Sequence, residues 1–155
     1  MTGTNELDVT LVNRSGMEID SGRILVVAET VLRNQGFERG ELGITFVPSG
    51  EMERLNIEHL NHEGPTDVLS FPIDAGQAAS QQADDMGAPV LLGDVVICPQ
   101  VAAEQATGEA SSFEKEICML VIHGILHITG HNHEADTGKM ESIQDSLLGE
   151  ICGDG

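Results

Sequence analysis

Three histidines in the last third of the chain have the residue type and the spacing of zinc ligands. His123 and His127 lie four residues apart, which on a helix places both rings on one face, about 6 Å apart along the axis. Two imidazoles placed in this way can bind one ion at the roughly 2.0–2.1 Å that zinc requires. Gly130 is typical of a residue that ends a helix in a left-handed turn, which would carry His133 back toward the first two rings. The sequence therefore predicts a metal site formed by His123, His127 and His133.

The number of predicted ligands indicates a catalytic metal rather than a structural one. Structural zinc sites usually have four protein ligands, whereas three nitrogens leave one position open to water. We expect one zinc ion per chain, ahead of other metals that prefer imidazole. His131 lies in the same turn, and we expect it to contact the ligands or the solvent. A helical histidine pair often arises by chance, but three histidines at these offsets, with a glycine at the turn and an otherwise apolar helix, do so much more rarely.

The residue that follows the first histidine bears on which bond such a metal would help to cleave. The spacing H-x-x-x-H-x-x-G-x-x-H is also that of metzincin peptidases, in which a glutamate after the first histidine activates water. Here that position is Gly124, and loss of an acid–base group typically costs about 10²–10⁴-fold in rate. A metal held by three histidines can instead bind a phosphate oxygen and activate water without a neighbouring carboxylate. The residues therefore predict hydrolytic metal chemistry and leave the bond open.

The acidic composition limits how this protein can recognise a partner. The 155 residues include 26 acidic and seven basic side chains, for a formal net charge of −19. This balance favours solubility and argues against binding DNA or RNA through bulk positive charge. It permits a local metal or cationic site, because physiological salt screens exposed charges beyond about 8 Å. We expect no DNA partner.

The N-terminus and the cysteines predict a cytoplasmic protein. The first six residues lack the basic and apolar regions of a signal peptide, and no apolar run is long enough to span a bilayer, so we expect no membrane partner. Cys98, Cys118 and Cys152 are odd in number and far apart, which favours reduced thiols over a disulfide framework. The length predicts a single domain over residues 1–155, and with the histidine pattern we expect it to be a metal-dependent hydrolase domain. Oligomeric state is left open.

Hydrophobic periodicity predicts an α+β protein in which a small mixed sheet and its helices surround a central, buried, metal-bearing helix. Residues 117–128 of that helix are apolar nearly all round, and histidines on a buried helix need partners. Residues 74–89 have no periodicity, and we expect a flexible loop there. The predicted strands are 7–11, 42–47, 67–71 and 90–98, and the predicted helices are 20–36, 49–60, 99–108, 111–128 and 136–151. Asp20 with Ser21, and Ser111 with Glu114, are the predicted caps of two of these helices.

Three segments of the chain resemble the signatures of the bacterial YbeY family of rRNA-maturation endoribonucleases. They are residues 65–72 (PTDVLSFP), 92–98 (LGDVVIC) and 123–133 (HGILHITGHNH), and the similarity extends from about residue 7 to residue 151. The resemblance implies a zinc-dependent endoribonuclease specific for single strands, which matures the 3′ end of 16S rRNA and acts in ribosome quality control. It implies that His123, His127 and His133 are the zinc ligands and that single-stranded rRNA on the small ribosomal subunit is the partner.

The chain departs from the family pattern at positions that could have carried catalysis. The family often has Tyr-Asp before the last histidine, where this chain has His131 and Asn132, and an amide cannot act as a carboxylate base. Many members carry an arginine that by spacing corresponds to Leu60, which cannot clamp phosphate. Arg54 is a conceivable substitute, although a helical arginine is more often a surface residue. We assign no catalytic side chain from the sequence.

Several further polar residues are weaker candidates, each with an ordinary structural explanation. Asp67 and Asp94 could face the metal site but also suit turn caps or backbone hydrogen bonds. Ser70 could line a cleft beside the metal, and a hydroxyl in an interior strand is as often satisfied by backbone. Exposed surface is the favoured explanation for His59 and His62, whereas Glu134 could be a base or, equally well, an ordinary acid at a helix N-terminus. Two alternative functions stay open, a zinc peptidase or other zinc hydrolase, and a non-enzymatic ribosome-assembly factor with a structural zinc.

Overall fold

A computed structural model describes residues 6–60, 67–72, 91–105, 110–129 and 139–152. In these residues the chain forms strands and helices in the order β-α-β-α-β-β-α-α-α, as the sequence predicts. The strands are β1 (Glu6–Asn13), β2 (Arg39–Phe46), β3 (Val68–Pro72) and β4 (Leu91–Ile97). The helices are α1 (Ser21–Asn34), α2 (Ser49–Leu60), α3 (Pro99–Gln105), α4 (Ala110–Ile128) and α5 (Lys139–Cys152). The predicted flexible loop, 74–89, lies outside the described residues.

The four strands form one mixed sheet in the order β1-β2-β4-β3. β1, β2 and β4 run parallel, and β3 pairs antiparallel with β4 at an edge. The register between β2 and β4 shifts between Glu41 and Leu42, where β4 has one extra residue, Leu92, and the next residue, Gly93, has a φ of 140°, which favours glycine. The prediction of an α+β fold with a small mixed sheet is confirmed.

Helix α4 is the centre of the main hydrophobic core. Ile122, Ile125 and Leu126 are completely buried, in the same cluster as residues of α1, β2 and β4. α1, α5, β3 and β4 all contact α4. Burial on nearly every side explains why residues 117–128 are apolar all round rather than along one stripe. The predicted central, buried helix is confirmed. None of the described helices is long and apolar enough to cross a membrane.

Side chains alternate between the two faces of β4, and this alternation separates two cores. Val95 and Ile97 belong to the main core on the α4 side of the sheet. Val96 and Cys98 point the other way and pack with Met52 of α2 in a smaller cluster. Helix α2 therefore covers part of the sheet face opposite α4.

The ends of two helices test the predicted caps. Asp20 caps α1, and its carboxylate accepts a hydrogen bond of 3.2 Å from the backbone N–H of Arg23. Helix α4 is already helical at Ala110, so Ser111 lies inside the helix and the predicted cap at Ser111 is wrong by at least one residue. Composition favours a cap at any serine near a helix start, but only the backbone dihedrals decide which residue is the last non-helical one.

Candidate metal centre

Two of the three predicted metal ligands lie side by side on α4. The ring centroids of His123 and His127 are 4.7 Å apart, and the ring planes meet at 70° in an edge-to-face arrangement. Both side chains are half-buried, on a helix whose other faces are packed. His133 lies outside the described residues, as do Gly130, His131, Asn132 and Glu134. Within the described part of the chain, no group of three His, Cys, Asp or Glu side chains is gathered as a metal site would need.

A hydrogen bond from a neighbouring helix fixes one of these two rings. Nδ1 of His123 lies 2.8 Å from Oε1 of Gln144 on α5. If Nδ1 carries the proton, it donates to this carbonyl oxygen, and Nε2 then carries the lone pair that coordination requires. Histidines that bind zinc almost always donate their other N–H to such an acceptor. The donor set present therefore fits a zinc ion bound through Nε2 of His123.

Sequence reasoning missed Gln144, although a weak signal was present. Ile143, Leu147, Leu148 and Ile151 of α5 pack against the main core, and Gln144 is a half-buried polar residue among them. A polar residue on the packed face of an amphipathic helix requires a hydrogen-bond partner. The sequence gives no indication of which partner, because His123 is 21 residues away and on another helix.

Gly124 is required by the packing of α4 on the sheet. A Cβ at this position would lie 2.6 Å from Cγ1 and 3.2 Å from Cγ2 of Val95, distances well inside ordinary carbon–carbon contact. The place where metzincin peptidases carry their glutamate is therefore filled here by a side chain of β4. The absence of a base after the first histidine is a consequence of how helix and sheet meet.

Ser70 connects the edge strand to the histidine helix. Its hydroxyl donates a hydrogen bond of 3.1 Å to the carbonyl oxygen of Gly124, one residue from His123. The backbone explanation that the sequence offered for this hydroxyl is therefore the one observed. The same bond holds β3 against α4 next to the pair of histidines. Ser70 therefore helps to position the site, and we assign it no chemical role.

Asp67 lies with Glu116 rather than with the histidines. Burial raises the pKa of Glu116 above its ordinary value, and the charge of Asp67 raises it further. Glu116 precedes His123 by seven residues, which is about 10 Å along a helix. The backbone carbonyl oxygen of Asp67 accepts a hydrogen bond of 2.9 Å from the N–H of Cys98. The charge of Asp67 therefore acts on Glu116, about two turns of α4 before His123.

Two other candidates, Asp94 and Arg54, lie on the side of the sheet opposite the histidine helix. Asp94 alternates with Val95, so it points to the sheet face opposite α4, where its carboxylate lies over Gly43. Arg54 is exposed on α2, which packs on that same opposite face. Leu60 is the last residue of α2. His62 lies outside the described residues, as does the side chain of His59. Cys98 and Cys118 are buried and form no disulfide in the described part of the chain.

The fold and site define a class of small α+β proteins in which a buried helix, packed on a four-stranded mixed sheet, presents histidines one turn apart. A family model described as Endoribonuclease YbeY matches residues 6–152. The chain therefore belongs to the YbeY family, which confirms the resemblance that the three sequence segments indicated.

Individual relatives agree with this assignment along nearly the whole chain. Endoribonuclease YbeY of Micrococcus luteus is 38% identical over 148 residues, covering 94% of this chain and 92% of its own. That of Mycobacterium tuberculosis is 34% identical and covers 96% of this chain and 85% of its own. The solution structure of TM1509 from Thermotoga maritima superposes with a TM-score of 0.58 at 25% identity, covering 94% of this chain and 89% of that one.

Proposed function

We propose that this protein is a zinc-dependent endoribonuclease that cleaves single-stranded RNA. The observation that supports this most directly is the His123–His127 pair, with Gln144 at Nδ1 of His123, in a chain of the YbeY family. The relatives in this family carry the name endoribonuclease, which supports RNA as the substrate. By the same family relation we propose a cytoplasmic role in 16S rRNA 3′-end maturation and ribosome quality control, with the small subunit as partner.

In this proposal His123, His127 and His133 hold one zinc ion per chain within a single domain. When bound, zinc supplies Lewis-acid chemistry that polarises the phosphodiester and activates water for attack at phosphorus. The protein contributes the geometry. The packed helix α4 fixes the two described histidines one turn apart, Gln144 holds the first ring, and Ser70 ties β3 to the helix beside them. We assign no side chain as general acid or base.

The charge of the protein requires that RNA be bound locally. With a net charge of −19, the surface as a whole repels a polyanion, so attraction must come from the metal and from contacts close to it. A flexible single strand can approach such a site with few phosphates near the acidic surface. A duplex is stiff and would bring many phosphates close to that surface. The acidic composition therefore favours the single-stranded substrate over a double-stranded one.

Gly124 separates this proposal from the peptidase alternative. A peptidase of the metzincin kind needs a glutamate at that position, and Val95 occupies the space that its side chain would need. The non-enzymatic alternative, an assembly factor with a structural zinc, is distinguished by activity instead. It predicts that loss of His127 lowers the melting temperature while intact, metal-loaded protein cleaves no RNA above a metal-stripped control.

The test combines metal content with cleavage. Wild-type protein and His127→Ala are purified in parallel, assayed for zinc by elemental analysis, and incubated with single-stranded rRNA, the same RNA as a duplex, and a peptide library. We expect about one zinc per chain in the wild type, cleavage of the single strand only, and loss of both zinc and cleavage in His127→Ala. Equal cleavage by the two proteins would mean a contaminating nuclease and would contradict the proposal.

A further inference from the structure

We propose that Gln144 is a positioning residue for His123, holding its imidazole in the one tautomer and the one orientation in which Nε2 can bind the metal. This inference rests on the proposed metal function and adds to it a residue from outside the histidine motif. Gln144 lies on α5, a different helix from the two described histidines, and its Oε1 is 2.8 Å from Nδ1 of His123.

The packing of α5 on α4 makes this hydrogen bond a fixed one. Ile143 and Leu147, which flank Gln144 on α5, pack into the main core that α4 centres, and Leu147 is buried. The two helix backbones are therefore held at a set distance at this point. A half-buried amide between two packed helices has few other arrangements open to it, and leaving its hydrogen bond unmade there would be unfavourable.

The chemistry of the His123 imidazole and the Gln144 amide shows why a hydrogen-bond acceptor is needed beside Nδ1. A neutral imidazole has one N–H and one lone pair, so the group that faces Nδ1 decides which nitrogen remains for a metal. The carbonyl oxygen of Gln144 accepts a hydrogen bond from the Nδ1–H group of His123, which leaves the lone pair on Nε2. The amide nitrogen of the same side chain would donate to Nδ1, place the proton on Nε2, and prevent coordination there.

This difference between the two ends of an amide gives a specific test. Gln144→Glu keeps the length of the side chain but can only accept in its ionised form, so it enforces the tautomer that binds metal. Gln144→Met keeps an unbranched side chain of similar length and removes the acceptor. Ser146→Met, at an exposed position on the same helix, controls for placing a methionine in α5. Gln144→Ala is a second variant without the hydrogen-bond acceptor, so that the result does not depend on how the methionine packs.

Zinc affinity is measured by chelator competition, and the His123 tautomer is read from imidazole ¹⁵N shifts in metal-free protein. We expect Gln144→Met and Gln144→Ala to weaken zinc binding about 10–100-fold, which is the usual effect of removing a hydrogen-bond partner of a metal ligand. Gln144→Glu should bind zinc at least as tightly as wild type, and Ser146→Met should match wild type. The Nδ1–H tautomer should dominate in wild type and Gln144→Glu and lose its dominance in the two removals.

The outcomes separate this inference from the proposed function. Wild-type protein that binds no zinc would overturn both. Wild-type protein that binds zinc, with Gln144→Met and Gln144→Ala binding it equally well, would overturn the role of Gln144 alone. A Gln144→Glu variant as weak as the two removals would also overturn it, because a purely structural loss at this position is not restored by a carboxylate.

Discussion

Placing a single methyl group on the histidine helix tests the close contact between α4 and β4. In Gly124→Ala, the new Cβ would lie 2.6 Å from Cγ1 of Val95, against about 3.5–4.0 Å for carbon atoms in normal contact. Val95 is completely buried in the main core, and its β-branched side chain has little rotamer freedom. Neither partner can therefore yield by rotating a flexible end, and α4 has to move away from β4.

Two opposing effects decide the size of the change. Alanine is favoured over glycine in a helix by about 1 kcal/mol. Overpacking of a well-packed core typically costs about 1–3 kcal/mol. The contact is about 1 Å too short, so we expect a cost near the top of that range and a net loss of about 1–2 kcal/mol in the free energy of unfolding. For a chain of 155 residues this corresponds to a fall in melting temperature of roughly 2–8 °C.

Urea denaturation of a double-mutant cycle with Val95→Ala tests this reasoning. Val95→Ala removes both γ-carbons that oppose the new Cβ, so Gly124→Ala should cost less in that background, with a coupling of about 1 kcal/mol or more. Gly149→Ala is the matched control, because Gly149 is an exposed helical glycine with no atom within 4 Å of the added Cβ, and it should stabilise α5. Additive effects at 124 and 95, or a stabilising Gly124→Ala, would refute the packing argument.

Two further predictions concern groups beside the same helix. The pKa of Glu116 is raised by burial and by Asp67, so this carboxyl group favours the folded state below its unfolded pKa and loses that contribution as pH rises through the folded value. Glu116→Gln should therefore raise the melting temperature at pH 7 more than Glu114→Gln, an exposed control on the same helix. The difference between the two variants should vanish at acid pH. A difference that stays constant with pH would contradict this prediction. Ser70→Ala removes the bond to Gly124 and should cost about 0.5–1.5 kcal/mol in urea denaturation, with no loss at the exposed control Ser146→Ala; an unchanged midpoint for Ser70→Ala would show that this bond contributes nothing.

The order of elements and the buried helix followed from local patterns, and the structure confirmed them. Apolar alternation indicated β1, and a continuous apolar stretch indicated α4, because the period of burial is written into neighbouring residues. The strand order could not be predicted in this way. That β4 lies between β2 and β3 depends on pairing between distant segments, which leaves no local trace.

The candidate site also has features that local sequence predicts and features that depend on contacts between distant residues. The one-turn spacing of His123 and His127 placed both rings on one face from sequence alone, and the structure brings the rings together. Their role as ligands, together with His133, stays a prediction. Gln144 escaped notice because a glutamine in an amphipathic helix has many uses, and only the packing of α5 on α4 brings its oxygen to Nδ1 of His123.

Gly124 shows how packing and chemistry become linked in this fold. From sequence it was only a missing base, which argued against a peptidase but gave no reason for the glycine. The structure supplies the reason, because α4 can approach β4 closely only where the helix carries no side chain. The same close approach brings β3 near enough for Ser70 to reach the Gly124 carbonyl beside His123. A variant with glutamate at position 124 would have to give up this approach, so peptidase-like chemistry could not be introduced there without separating the helix from the sheet that positions its histidines.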